Sequence, residues 1–249
     1  MATNQDRLTT IARRRRGGSR YFFVTLSLFA LVMALVVNVP TYHAFFAGRF
    51  PIAAVVNVHA TLMGLWLATF VTQGVLASSG RIALHRKLGA FGIVLGLLVW
   101  MSMVFVEVRA MVVKPPGKDS DLDWLLPGVY CYANFPVFFG AAVWLRHVPA
   151  WHKRLMVFAT FVALQAVEQR MGWLPHSSGS YWTDFAYVDA CLILPLAGFD
   201  WVSSKRLHPA TLLGGVFLLA AQLVVVLAWG TPGWHRLAAD VVRFLRGVF

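Results

Sequence analysis

Between Asn57 and Gly96 the chain consists of two uncharged apolar runs around a short basic segment that ends in His85-Arg86-Lys87. Each run approaches the roughly 20 residues needed to cross about 30 Å of hydrocarbon. A backbone in lipid finds no outside hydrogen-bond partner, so such a run closes its own bonds as a helix. Two of them joined this way make a hairpin across a bilayer. The pattern returns at Trp151-His152-Lys153-Arg154-Leu155-Met156, which again leads into an apolar run. The chain therefore reads as a pair of helical hairpins, each with a histidine and two cations where its second helix begins.

The remaining runs complete an all-α polytopic bundle. Apolar stretches at about Tyr21–Val39, Ile52–Ala77, Leu88–Val113, Leu125–Leu145, Leu155–Trp173, Phe185–Val202 and Pro209–Trp229 predict seven transmembrane helices. Pro115-Pro116-Gly117, Pro149 and Pro175 fall between them, where helices break. The first run is longer than the roughly 7–15 residue core of a signal peptide and is expected to be retained. Residues 1–20, with Arg13 to Arg16, are expected to be a disordered cytoplasmic tail, with an anionic-lipid contact as the rival reading. Residues 21–230 form the transmembrane domain, with the hairpin repeat over 53–175. From Thr231 to the end, Trp234, Leu237, Ala238, Val241, Leu245 and Val248 recur at helical spacing opposite Arg236, Asp240 and Arg243. This predicts a helix capped by Thr231 and lying on the outer leaflet, or else docking a partner subunit.

Composition agrees with a bilayer as the solvent. The chain is 59% hydrophobic and 13% charged, against roughly 45–50% and about 25% in soluble domains. The net charge of +12 does not indicate nucleic-acid binding, because the charges sit at the ends of apolar runs. With the N-terminus inside, the inner segments carry fourteen basic residues, from Arg7 to Arg206, and the outer ones seven. That alternation satisfies the positive-inside rule and predicts an N-terminus in, C-terminus out topology. Cys131 and Cys191 are too few for a disulfide framework; both read as buried thiols, with a single bridge as the alternative.

Chemistry is expected at two levels. On the inner face, His85 and His152 lie at one membrane depth if their helices are neighbours. Two neutral imidazoles can ligate a haem iron from opposite sides, and Arg86, Lys87, Lys153 and Arg154 could pair with the haem propionates. A histidine beside cations at a helix end is also an ordinary interfacial anchor. In the outer third, His59, Glu107 and Glu168 are ionisable groups at membrane depth and so functional candidates. Asn134, Gln165 and Asp189 are predicted near them. The motif Glu-x-Arg recurs at Glu107-Arg109 and Glu168-Arg170, and cross-pairs Glu107–Arg170 and Glu168–Arg109 would form a packing network. The alternative is a proton or quinol site. No His-x-x-x-His or Glu-x-x-His spacing argues for a separate metal site, and the last transmembrane run lacks the lysine a retinal Schiff base needs. Gly89, Gly92 and Gly96 predict close helix packing.

The stretches NVHATLMGLWLATFVTQ, LHRKLGAFGIVLG and WHKRLMVFAT resemble a group of uncharacterised bacterial multi-pass proteins with His-Arg-x-Leu-Gly turns. That group is distantly similar to the haem-binding four-helix membrane cytochromes b of ascorbate and ferric reductases. The resemblance covers about residues 53–175 and implies His85 and His152 as inner ligands of a haem b. For a second haem it implies His59 and a histidine on the fourth helix, where Cys131, Tyr132 and Asn134 stand instead. One haem is thus the expectation: an electron-transfer protein of the bacterial inner membrane, with a quinone as possible partner. Its rival is a non-redox transporter or a structural subunit of a larger membrane complex.

Overall fold

The computed structural model describes residues 4–49, 52–113, 117–168 and 181–248; for 4–20, 166, 168 and 181–192 it describes the backbone alone. Among the described residues every regular element is a helix: α1 (Asn4–Phe46), α2 (Ala54–Ser78), α3 (Ile82–Val113), the short α4 (Asp119–Asp123), α5 (Leu125–Trp144), α6 (Pro149–Glu168), α7 (Tyr181–Ser204), α8 (Pro209–Ala228) and α9 (Pro232–Val248). Among the described residues, five segments are long and apolar enough to cross a membrane: Tyr21–Phe46, Ala54–Ser78, Ile82–Val113, Asp119–Trp144 and Pro209–Ala228. Leu97, Met101 and Phe105 of α3 and Leu213, Val216 and Val224 of α8 face outward. An apolar surface of this kind suits lipid as its solvent.

Several helices begin before their apolar runs. α3 starts at Ile82 rather than near Leu88, and α6 at Pro149 rather than near Leu155. Arginine and lysine are good helix formers whose stems lie along apolar surface, so the helix continues through the basic segment. His85 and His152 are consequently each the fourth residue of a helix and not part of a loop. The backbone of α1 is helical from Asn4, in the stretch expected to be disordered, and continues through Pro40.

α2 lies against α3, and α5 against α6; α3 packs on α5, while α1 contacts both α2 and α6. α6 is the centre of the bundle. From Val157 to Val162 every residue is buried, and Leu164 and Gln165 continue the pattern. A helix buried on all faces touches protein all round, here α1, α5, α7 and α8. Between the hairpins, the ring of Trp66 meets those of Phe135 and Phe139 edge-on at 5.7 and 5.5 Å, and its Nε1 donates to Thr160 at 3.3 Å. Of the expected packing glycines, Gly89 and Gly92 face Gln73 and Thr69 of α2. Gly96 instead faces α5, and a Cβ there would stand 2.4 Å from the Phe139 ring.

α9 closes one end. Ala238 and Val242 pack on Met111 and Leu122, and Trp234 Nε1 donates to the Leu122 carbonyl at 3.0 Å. Thr231 caps the helix by accepting from the Trp234 N–H. Asp123, which falls between the apolar runs Leu88–Val113 and Leu125–Leu145, is buried: its Oδ1 accepts from Gly230 N at 2.9 Å and pairs with His235 Nε2 at 3.0 Å.

Candidate functional site

The basic end, opposite α9, brings His85 and His152 together. Tight connections do this. Gly80, with φ of 78°, ends α2 in a Schellman turn in which Arg81 N donates to Leu76 O and Gly80 N to Ala77 O. Pro149 starts α6 after a four-residue turn from α5, in the first-turn position that tolerates its missing N–H. Each second helix therefore folds straight back along the first. His85 Nδ1 then meets the carbonyl of Gln73 at 3.3 Å, and His152 Nδ1 that of Ala142 at 2.8 Å. A carbonyl only accepts, so Nδ1 carries the proton in both rings and Nε2 is left as a lone-pair donor. Histidine ligands of metals are oriented in this way. The ring centroids are 6.3 Å apart and the ring planes are perpendicular.

These features can be set against the expected haem. Bonds of roughly 2 Å from an iron to each imidazole nitrogen would hold the two ring centroids roughly 6 Å apart, which the pair matches. Among the described residues neither Nε2 has a hydrogen-bond partner. Gln73 donates its Nε2 to the His85 carbonyl at 3.1 Å, while its Oε1 is buried without a donor. His85 and His152 thus fit as the residues that would hold a haem iron, one Nε2 from each ring. The expected propionate partners fit less well. Arg86 and Lys87 are exposed, and Lys153 stands over the Phe23 ring at 4.4 Å. Arg154 is committed elsewhere.

Arg154 forms a buried ion pair with Asp200 of α7. The other carboxylate oxygen of Asp200 accepts from His208 N at 3.0 Å and Thr211 Oγ1 at 2.6 Å, while Arg154 also donates to the Ala150 carbonyl at 2.7 Å. The cluster ties α6, α7 and α8 together. Asp200 is absent from the sequence-based candidates, yet the signal was available: a lone acid near the end of an apolar run, on the side where Arg154 lies.

Near the α9 end, His59 Nδ1 lies 2.9 Å from Ser102 Oγ. Ser102 gives its own proton to Val99 O at 2.7 Å, so its oxygen accepts from the imidazole. Glu107 reaches across to α5, where its carboxyl rests against Gly128. Cys131 donates its thiol to Gln165 Oε1 at 2.9 Å. The side chains of Glu168, Asp189 and Cys191, and all of Arg170, lie outside what the structure describes; the two proposed cross-pairs fall there too. Arg109 is exposed. Asn134 donates back to its own helix, at Tyr130 O. Gln222 of α8 is buried with neither amide atom partnered among the described residues. No group of three His, Cys, Asp or Glu side chains that could hold a metal ion occurs among the described residues.

Compared with known proteins, the chain matches no family model, no curated protein and no solved structure. Fold and composition define its class: an all-helical integral membrane protein.

Proposed function

We propose that this chain is a membrane electron-transfer protein, cytochrome b-like, that binds one haem b between His85 and His152. The observation that carries the reading is the imidazole pair, each ring held by its own hairpin in the tautomer that leaves Nε2 for a metal. A bound haem supplies one-electron chemistry. The protein's part is to present the two Nε2 atoms and to fix their orientation through Gln73 and Ala142. Arg86 and Lys87 are the cations left for the propionates, since Arg154 belongs to Asp200.

The polar groups at the other end complete the reading. His59, Glu107 and Glu168 form a proton or quinol-type site, with His59 oriented by Ser102. Quinone is the partner such a site would take. The wider placement follows from charge: the basic end faces the cytoplasm by the positive-inside rule, in a bacterial inner membrane. Counting α6 and α7 with the five apolar segments makes seven spans, N-terminus in and C-terminus out. α6 carries its basic first turn and buried core because it touches protein rather than lipid.

An absorption spectrum of protein purified after expression with haem supply tests this. A reducible Soret and α-band pair is expected, lost in His85→Ala and in His152→Ala and kept in His59→Ala. A colourless, correctly folded protein would end the redox reading.

A further inference from the structure

At the α9 end an apolar groove of about 780 Å³ opens between α2, α3 and α9. Val55, Val58, Trp100, Phe105, Val108 and Leu245 are among its lining residues. Its polar side chain, Ser102, already donates to Val99 O and accepts from His59, and Trp100 turns its Nε1 away to the Tyr132 carbonyl. The interior is thus suited to hydrocarbon and to little else.

The rim differs in character. α9 has one apolar face docked through Ala238 and Val242. A second stripe, Leu237, Val241, Phe244 and Val248, recurs at intervals of four, three and four residues and is exposed. Across the helix from it stand Arg236, Arg243 and Arg246 against the single acid Asp240, which pairs with Arg243. Arg236 and Arg246 are exposed and have no partner among the described residues. A helix with this distribution lies at headgroup depth, its apolar stripe among the chains and its cations among the phosphates. Leu245, which lines the groove, is followed at once by Arg246.

We propose that the groove and α9 together form a binding site for one phospholipid with an anionic headgroup. A chain fills the groove along α2 and α3, and the headgroup is held at α9 by Arg246, next to the groove-lining Leu245, through charge-assisted bonds. This assignment stands apart from the haem, and a haem-free protein would still show it.

The test uses the whole protein in nanodiscs containing lipids brominated on their chains, with the part of the tryptophan quenching that Trp100→Phe removes as the readout. Brominated phosphatidylglycerol is expected to quench Trp100 at about fivefold lower mole fraction than brominated phosphatidylcholine, the preference one engaged arginine gives. Arg246→Glu, at an exposed position, should erase that preference while leaving quenching by phosphatidylcholine, and Arg236→Glu, on the far face of α9, should keep it. Val58→Phe, which fills the groove and retains Trp100, should reduce quenching by both. Equal quenching by the two lipids in the unaltered protein would overturn the headgroup assignment and leave a groove open to any chain. Absence of quenching by either would overturn the site altogether, leaving the groove to a partner helix or a quinone tail.

Discussion

Trp100 donates its indole N–H to the carbonyl of Tyr132 at 2.8 Å across the α3–α5 interface. That carbonyl is the one Pro136, four residues on and inside α5, leaves without its helical donor. In a bilayer no water makes up the loss, so a side chain from the neighbouring helix does. Trp100→Phe should destabilise the protein by about 1–3 kcal/mol by orphaning the acceptor. Pro136→Ala restores the backbone donor, and in its presence Trp100→Phe should cost less. Unfolding in mixed micelles, run as a double-mutant cycle, measures the difference.

Arg154 and Asp200 should show the asymmetry of buried ion pairs. Asp200→Asn leaves a guanidinium without its counter-charge inside the bundle, and a loss of about 3–5 kcal/mol is expected. Replacing both residues by Met and Leu should recover most of it. A thermal-unfolding series over the single and double variants checks this; equal losses in single and double variants would argue against the pair.

His208 gives a pH dependence. Burial, then the neighbouring Arg154 guanidinium, holds its pKa below the ordinary value of 6.5, with Lys153 and Arg206 acting the same way and Asp200 opposing them. Its Nδ1 accepts from Ala210 N at 3.1 Å as the N-cap of α8, which requires the neutral ring. A lowered folded pKa means the unfolded chain binds the proton more readily. Its stabilising contribution is therefore complete above pH 6.5 and declines as pH falls through the folded value. His208→Asn keeps a capping acceptor and should flatten this part of the stability profile.

Two glycine positions should respond in opposite directions. At Gly214 a Cβ would stand 2.6 Å from the ring of Phe158, which is wholly buried and cannot yield. Gly214→Ala should cost about 1–3 kcal/mol by overpacking. Gly64, in the interior of α2, has open space where its Cβ would go. Gly64→Ala should gain roughly 0.5–1 kcal/mol of helix stability. Melting temperatures of the two variants against the parent distinguish them.

Gln222→Leu should raise stability by about 1–3 kcal/mol, because it removes a buried amide with no partner among the described residues. A loss measured by the same unfolding assay would show that Gln222 holds water or a ligand.

How much of this was legible in the sequence depends on the residue. The apolar runs marked where α2, α3, α5 and α8 would lie, because the length of hydrocarbon sets the length of the run. They placed the starts of α3 and α6 too late, since helix propensity does not stop where hydropathy does. The depth of His85 and His152 could be read from the repeated His-basic-basic-Leu start. Their Nδ1 bonds to Gln73 and Ala142 could not, because a backbone acceptor has no side-chain signature. Arg154 is assigned to the haem propionates by sequence because its partner lies 46 residues away, on a helix whose packing no local pattern specifies. The burial of Asp123, between two apolar runs, was not legible for the same reason: its partners, Gly230 and His235, arrive from the far end of the chain.

Each imidazole of the basic end is tethered to its own hairpin, His85 to α2 and His152 to α5, and among the described residues no bond joins one tether to the other. Sliding one hairpin past its neighbour would alter the ring separation without breaking either tether. The gap between the rings therefore works as a gauge of hairpin displacement, so anything that wedges the two halves of the bundle apart would be registered at the histidines.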